Sequence, residues 1–180
     1  MEFKVKVGND VQTYYKKTSL LEIIGDRDPE KRIVAAKVNN RIRELTYELY
    51  YDCEVEFIDC KCPEAVKVYE ATLRYVTAMA FRHAYPELKI RFAYNVSRSI
   101  SIHILTPGVV SSTAMLLRIK HEMESIIEQD LPLKRQIISK EDAAKLYQEH
   151  GFEDKLDLLP YRPEKTVHIY TCGDYVDYMY

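Results

Sequence analysis

The sequence has no long hydrophobic run. Its composition is 47% hydrophobic and 30% charged, and charged side chains interrupt the apolar residues well before the roughly 18 that a membrane span needs. The first ten residues, MEFKVKVGND, alternate charged and apolar side chains, which is not the pattern of a secretory or organellar leader. We therefore expect a cytoplasmic protein that does not interact with a membrane.

Glycine and cysteine are also scarce. The five glycines never form the Gly-x4-Gly-Lys-Ser/Thr loop that wraps phosphates, so this chain by itself is no P-loop kinase. The four cysteines do not form a spaced disulfide framework. Cys60 and Cys62 are close in sequence, but no second Cys or His pair stands nearby to complete a four-ligand metal site. We interpret them as free thiols at the end of a strand.

The histidines and carboxylates do not form a recognisable catalytic pattern. No histidine has a cysteine or serine at a known spacing, so nucleophilic catalysis is not indicated. Asp174 and Asp177 are predicted to shape a turn, although they are close enough to act as an acid and base. His83 and His121 are expected on exposed helix faces. The remaining histidines are His103, His150 and His168.

Positive charge is concentrated in one short stretch, although the net charge is only −2. No acidic residue lies between Lys31 and Arg43. Such a run either pairs with phosphates or forms a solvated face, and both interpretations stay open. The candidate nucleic-acid-binding residues are Lys31, Arg32, Lys37, Arg41 and Arg43.

The first 60 residues predict short strands around one short helix. Alternating residues from Phe3 to Val7 indicate a half-buried strand, and residues 11–15 supply its partner after a turn. Ser19 and Glu22 have the spacing in which each caps the other's backbone N–H, and the helix ends at Gly25. Its buried face is predicted as Leu20, Leu21, Ile23 and Ile24. Further strands are predicted at 33–38, 43–49 and 53–58, which completes the order of a β-grasp fold.

The pattern changes to longer helices at Pro63. A helix over 64–84 carries one apolar stripe, and a second helix covers about 109–129. Between them a hairpin is predicted, with a loop at 95–99, Tyr94 opposite Ile100 and Arg91 opposite His103. The first stripe is Val66, Tyr69, Leu73, Val76 and Ala80, and the second is Leu116, Ile119, Met123 and Ile126. A strand at 135–138, a capped helix at 139–150 and a strand-and-turn tail at 165–180 follow.

Two resemblances to a known family rest on particular stretches. TSLLEIIGD, followed by VAAKVNNRIREL, resembles the TGS domain, the β-grasp module that begins threonyl-tRNA synthetases and some GTPases. EMESIIEQDLPLKRQIISKEDAAKLYQEHG, followed by YTCGDYVDYMY, resembles the second, editing-type domain of threonyl-tRNA synthetase. The resemblances imply an α+β chain with a TGS-like domain at 1–62 and an editing-like domain at 63–180, two long helices packing on an antiparallel sheet. The family's closing element continues past Tyr180, so we expect a truncated domain.

The resemblance also implies metal ligands that this sequence lacks. Editing-type domains carry His-x-x-x-His on the first long helix and a Cys and a His after the final turn. Here Tyr75 and Met79 take the histidine positions and Met179 takes the cysteine position. Phenol and thioether groups are poor ligands for a hard or borderline divalent metal ion. We therefore expect no catalytic residue and no bound metal. Two interpretations stay open. In the first, core side chains fill the pocket that holds the metal in editing-type domains. In the second, the pocket is a remodelled site for a nucleoside or another flat ligand, formed by Tyr75, Met79, Arg91, His103 and Met179.

A TGS domain followed by a synthetase-like domain without histidines resembles the N-terminal region of bacterial uridine or nucleoside kinases. The main hypothesis is therefore a non-catalytic region that binds a regulatory ligand or RNA. Its partner would be a C-terminal P-loop kinase domain, a transferase that binds ATP and Mg²⁺ and is absent from this chain. The alternative is a threonyl-tRNA-synthetase-type editing or tRNA-binding fragment acting on mischarged tRNA. A third hypothesis is an interaction module that contacts RNA through the basic stretch.

Overall fold

The protein combines helices with mostly antiparallel strands in two compact units. A computed structural model describes residues 2–28, 30, 32–97 and 99–178, with the backbone alone at 95 and 96. The first unit is Met1–Leu73 and the second is Arg74–Tyr180. The predicted α+β class is confirmed. Within the described stretches, no helix has both the length and the apolarity that a membrane crossing requires.

The first unit is built on a five-stranded sheet. Its elements are β1 Phe3–Val7, β2 Asp10–Tyr14, β3 Thr18–Ser19, α1 Leu20–Ile24, β4 Ile33–Val38, β5 Arg41–Arg43, β6 Glu48–Leu49 and β7 Cys53–Asp59. The strand order is β2-β1-β7-β4-β5, in which β1 and β7 are parallel and the other pairs antiparallel. Alternation places one side of β1 in the core. The core contains Phe3, Val5, Leu20, Ile23, Ala36, Val38, Leu49 and Val55.

Helix α1 has the predicted cap. The Ser19 hydroxyl accepts the Glu22 N–H at 3.2 Å, and the Glu22 carboxylate accepts the Ser19 N–H at 2.9 Å. The helix ends at Gly25, whose φ of +48° is a conformation that glycine tolerates best. Leu20, Ile23 and Ile24 are buried as predicted, but Leu21 is exposed. A surface helix buries one face, and Leu21 lies outside the face formed by the other three residues.

The predicted strand at 43–49 was wrong. Strand β5 ends at Arg43, and only Glu48 and Leu49 of the remainder form a strand, paired with β3. The carbonyl groups between them serve the start of α1 instead. The N–H groups of Leu20 and Leu21 donate to the Tyr47 and Leu45 carbonyls at 3.0 and 2.9 Å. These bonds satisfy N–H groups that a helix start otherwise leaves free.

Helix α2, Pro63–Ala84, differs from the prediction in its first two turns. Val66 and Tyr69 are 53% and 65% exposed, so the predicted stripe is not continuous. The buried residue in this part is Ala65, which joins a small cluster with Ala35 and Ile58. The spacing of large apolar residues does not reveal this buried face of α2, because the contact is made by the methyl group of Ala65.

The second unit contains a hairpin, a three-stranded sheet and three further helices. After α2 come β8 Ile90–Val96, β9 Ser99–Ile104, α3 Thr113–Glu128, β10 Lys134–Ser139, α4 Lys140–Glu149, α5 Glu153–Leu158, β11 Thr166–Cys172 and β12 Tyr175–Asp177. The sheet has the order β10-β11-β12 and is antiparallel. One buried cluster lies among α2, α3 and the end of β11, and another lies between α4 and β11.

The hairpin has the predicted pair of Arg91 and His103, but its register shifts further along. Asn95, not Tyr94, lies opposite Ile100, because an irregularity between Phe92 and Asn95 inserts one residue. Strand β8 also continues to Val96, so the predicted loop at 95–99 was too long.

Helix α3 begins later than predicted. The Ser112 hydroxyl accepts the Met115 N–H at 3.2 Å and caps the helix. Ile119 and Ile126 are buried and Met123 is partly buried, as predicted. Leu116 is 60% exposed, so its inward placement was wrong. Ser139 caps α4, as predicted, whereas the short helix α5 was not predicted.

The reciprocal cap gives a direct test of the first unit. Replacing Ser19 by Ala should lower its free energy of unfolding by about 1 kcal/mol, since one N–H at the helix start loses its acceptor. Urea denaturation followed by circular dichroism measures the change. Thr46→Ala, in the exposed turn after β5, is the control and should leave the stability unchanged; equal effects of both variants would contradict the role of the cap.

Candidate functional site

Tyr75 and Met79 occupy the interior of the second unit. They are one helical turn apart on α2 and are 3% and 2% exposed. Their cluster also contains residues of α3, β11 and β12. The Tyr75 and Tyr175 rings meet edge to face, with centroids 5.2 Å apart. The side chains at these two positions therefore pack as core.

The Tyr75 hydroxyl is committed to the backbone of the sheet. It lies 2.9 Å from the Tyr170 carbonyl oxygen and 3.2 Å from the Tyr175 carbonyl oxygen, and its one proton is shared between them. Burial raises the pKa of Tyr75, and the nearby Cys172 and Asp177 raise it further. The phenol is therefore a neutral donor.

The residues in this region do not fit a catalytic metal ion. A neutral, donating phenol and a buried thioether are not ligands for a hard or borderline cation. In the described part of the chain, no three His, Cys, Asp or Glu side chains are grouped as a metal site. Met179, the third predicted position, lies outside the described residues.

Asp177 at the end of β12 is the centre of a buried polar network. The Tyr175 hydroxyl donates to its Oδ2 at 2.8 Å, and the Tyr178 backbone N–H donates to its Oδ1 at 2.7 Å. The Lys155 ammonium group forms an ion pair with the same Oδ1. The two paired side chains are 9% and 10% exposed, so their charges compensate each other away from water.

Lys155 also lies among aromatic rings. Its Nζ is 3.7 Å from the centroid of Phe152, 4.7 Å from that of Tyr178 and 5.9 Å from that of Tyr147. These distances allow cation–π attraction in a desolvated setting. A cavity of about 130 Å³ opens beside the ammonium group. Its lining residues are Tyr147, Asp154, Lys155, Leu158, Leu159, Arg162 and Tyr178.

Sequence reasoning missed Lys155 and its role. Lys155 follows Glu153 and Asp154, and such a charged segment usually indicates a solvated helix face. Asp177 was predicted to shape a turn, with an acid–base role beside Asp174 left open. It does not meet Asp174, which is exposed and faces His83 instead, with 3.4 Å between Oδ1 and Nε2. The two aspartates are therefore not an acid–base pair in this structure.

His83 connects three elements of the second unit. Its Nδ1 is 3.0 Å from Glu122 Oε1 on α3, and its Nε2 faces Asp174 in the turn between β11 and β12. The residue lies on the exposed side of α2, as predicted, but its ring is held between two carboxylates. The arrangement supports the turn without approaching the buried Tyr75.

Arg91 and His103 do not join Tyr75 and Met79. Ile90 and Ile102 pack against the cluster that contains Tyr75, and neighbouring strand residues point to opposite faces. Arg91 and His103 therefore face the other way, where the His103 ring meets Tyr94 edge to face at 6.0 Å. The ligand-binding role predicted for this set stays a prediction.

Two cations of the basic stretch in the first unit are paired with acids. Arg32 pairs with Glu30 at 2.5 Å, and Lys37 lies 3.1 Å from Glu64 and 3.7 Å from Glu56. The Arg43 guanidinium stacks on Tyr47 at 4.8 Å. Arg41 is exposed on β5, and no acid pairs with it among the described residues; Lys31 lies outside them.

The chain is similar to several threonine–tRNA ligases. The chain is similar to the threonine–tRNA ligase of Listeria monocytogenes, with 28% identity over 149 residues, or 82% of this chain and 23% of that protein. It is 29% identical to the Symbiobacterium thermophilum enzyme over 93% of this chain and 26% of that protein. The Thermotoga neapolitana enzyme is 26% identical over 98% of this chain and 28% of that protein. No protein-family model matches the chain. The chain spans about a quarter of the length of these relatives.

The prediction of a uridine or nucleoside kinase region was wrong. The relatives are threonine–tRNA ligases, which favours the alternative function stated from the sequence. Tyr175 and Tyr178 contact the Asp177 network, which gives these two tyrosines a structural role. The kinase domain with ATP and Mg²⁺ was expected because of the resemblance to nucleoside kinases, so that expectation loses its support.

Removing the Tyr75 hydroxyl should have a pH-dependent effect. Tyr75→Phe should lower the free energy of unfolding by about 1 kcal/mol at pH 8. Because folding raises the pKa of Tyr75, the wild type loses this stabilisation as the pH rises above about 10, where the unfolded phenol ionises. The difference between the two proteins should therefore narrow from pH 8 to pH 11. Urea denaturation measures it, and Tyr161→Phe, at a tyrosine that is 85% exposed, is the control. A constant difference would contradict the burial of an un-ionised phenol.

The buried ion pair can be tested by a double-mutant cycle. Lys155→Met and Asp177→Asn should each lower the free energy of unfolding by about 3 kcal/mol, because each leaves a buried charge without its partner. The double variant should lose less than the sum of the two, with a coupling energy of about 1–3 kcal/mol. Lys89 and Glu153 form an exposed pair at 3.3 Å, and the matched Lys89→Met variant should change stability by less than about 0.5 kcal/mol. Strict additivity at Lys155 and Asp177 would show that the pair does not couple.

Proposed function

We propose that this chain is a tRNA-contacting module of the threonine–tRNA ligase type, without a catalytic step of its own. The observation that carries the proposal is the similarity to threonine–tRNA ligases, which extends over 98% of the chain in one case. Those proteins are named for joining threonine to tRNA. Because the chain corresponds to about a quarter of their length, its role in such a protein would be to bind or position tRNA.

The interior of the second unit supports binding over hydrolytic editing. Hydrolysis by a metal-activated water needs ligands that face an open site. Tyr75 and Met79 are buried instead, and the Tyr75 hydroxyl is shared between two carbonyl oxygens. In this proposal the second unit shares ancestry with editing-type domains but does not carry out hydrolytic editing.

The first unit supports the β-grasp part of the proposal. Its sheet places the parallel pair β1 and β7 at the centre, and α1 follows the first hairpin. This is the arrangement expected of a TGS-type module. We therefore propose a TGS-type fold for the first unit and an editing-like fold for the second.

The proposed contact with tRNA is centred on Arg41. It follows the tight turn of Asn39 and Asn40, whose φ angles are +46° and +67°, and it lies on the edge strand β5. Its neighbour Ile42 is 48% exposed, so the edge presents a cation beside an apolar surface. A free guanidinium suits a phosphate oxygen. Since Arg32 and Lys37 are paired with acids and Arg43 is stacked on a ring, binding should be weak and sensitive to salt.

Charge reversal at Arg41 tests the proposal. Arg41→Glu should weaken binding of a threonine-specific tRNA transcript by about tenfold and lower the salt dependence by about one ion. Filter binding at several salt concentrations measures both quantities. Lys120→Glu is the control, because Lys120 is exposed on α3 and pairs only with Glu124 among the described residues, at 3.6 Å. Unchanged binding by Arg41→Glu, or no binding by the wild type at low salt, would overturn the proposal.

The proposed lack of a catalytic step is tested by a separate measurement. Seryl-tRNA incubated with the protein should lose serine at the rate measured without protein. Faster deacylation would overturn this part and leave the tRNA contact standing.

A further inference from the structure

Helix α3 has apolar side chains on two different sides. Ile119 and Ile126 are buried in the core of the second unit. Leu117 and Ile127 are each 63% exposed. Because an α-helix turns once in 3.6 residues, the exposed pair lies on another side of α3 than the buried pair. The second unit therefore presents an apolar surface on α3 that its own core does not cover.

The exposed side of α3 carries a regular stripe, which we call the α3 seam. Its members are Leu117, Lys120, Glu124 and Ile127. They lie three, four and three positions apart, and such alternating steps mark the positions that face the partner helix in a coiled coil. The Lys120 and Glu124 side chains are 71% and 56% exposed. Leu116 adjoins the seam and is 60% exposed, so it widens the apolar part.

The α3 seam is complementary to itself in the antiparallel direction. It has an apolar residue at each end and opposite charges at its two central positions. When a second copy is turned by a two-fold rotation, Leu117 lies opposite Ile127 of that copy, and Lys120 lies opposite its Glu124. Parallel packing would instead bring like charges together at both central positions. The order of the charges therefore favours one direction of packing.

We propose that the α3 seam is a self-association surface, on which two copies of this chain pack their α3 helices antiparallel. Leu117 of each copy contacts Ile127 of the other copy at the two ends of the seam. In the middle, each Lys120 ammonium group lies between Glu124 of its own chain, at 3.6 Å in this structure, and Glu124 of the other copy. Two cations and two carboxylates then form one network, which stabilises more than isolated exposed pairs do.

A second copy suits the α3 seam better than a membrane or an apolar groove of another protein. Those occupants would take Lys120 and Glu124 out of water without supplying opposite charges, which is costly. A second copy supplies an opposite charge for each of them. One face of a 16-residue helix is smaller than the surfaces that stable complexes bury, about 1,200–2,000 Å² in total. We therefore expect weak association, with a dissociation constant of about 0.1 mM.

This inference does not rest on the proposed contact with tRNA. That contact is centred on Arg41 in the first unit, whereas α3 belongs to the second unit. Lys120→Glu should therefore weaken self-association and leave tRNA binding unchanged. The two proposals can fail independently of each other.

Sedimentation equilibrium of the full chain measures the association. The experiment is done at low salt, because salt screens charges on the surface. We expect mostly monomer at about 10 µM protein and mostly dimer at about 1 mM. A wild-type chain that stays monomeric at about 1 mM would overturn the proposal.

Exchange of the two charges tests the surface and its direction. Lys120→Glu and Glu124→Lys should each weaken self-association by about tenfold, since each brings like charges together across the seam. A mixture of the two single variants should associate about as well as the wild type, and so should the double variant that carries both changes. Single variants that associate like the wild type would rule out this surface. A double variant as weak as the single ones would rule out the antiparallel packing.

The apolar ends of the seam are tested by Leu117→Ser. This change removes an apolar contact at both ends of the dimer and should weaken association by about tenfold. Val66→Ser is the matched control, because Val66 is a 53% exposed apolar residue on another helix, α2, and should not affect association. Equal effects of the two changes would contradict the proposal. Circular dichroism confirms that every variant keeps the helix content of the wild type.

Discussion

The buried carboxylate of Asp177 organises the second unit. It accepts hydrogen bonds from the Tyr175 hydroxyl and the Tyr178 N–H, and it pairs with the Lys155 ammonium group. A charge in this position is tolerated only because every partner is present at once. The short strand β12 and the helix α5 are far apart in sequence, and this ion pair holds them together. Tyr75 extends the network, because its hydroxyl binds the carbonyl groups of Tyr170 and Tyr175.

The hydrogen bonds of this network leave the Tyr75 hydroxyl without the properties of a metal ligand. Groups that bind a metal or a substrate must face open space with lone pairs available. At Tyr75 and Met79 the side chains instead fill the interior, and the phenol uses its proton on the backbone. A small cavity of the second unit lies beside Lys155, whereas Tyr75 and Ile119 belong to a buried cluster. Similarity to threonine–tRNA ligases and burial of these positions together favour a binding role.

Pairing of charges shapes the first unit in a different way. Lys6 with Glu54 is an exposed pair, and Arg27 with Asp10 and Lys37 with Glu64 are partly exposed pairs. Pairs of this kind contribute little to stability. Their effect is on recognition, because a cation already paired with an acid is less available to a phosphate. A basic run in a sequence therefore overstates the positive surface in the folded unit.

Local physical chemistry was sufficient for much of the fold. The cap of Ser19 with Glu22, the alternation of Phe3 to Val7 and the cap of α4 by Ser139 depend on residues a few positions apart, so their spacing predicted them. The absence of a phosphate-binding glycine loop and the side chains at 75 and 79 were likewise properties of the sequence itself. Packing decided the rest. Only the folded chain places Ala65 inward and leaves Tyr69 exposed. Only the tertiary structure brings Lys155 to Asp177 across 22 residues, because desolvation and pairing of charges depend on neighbours that the linear order does not specify.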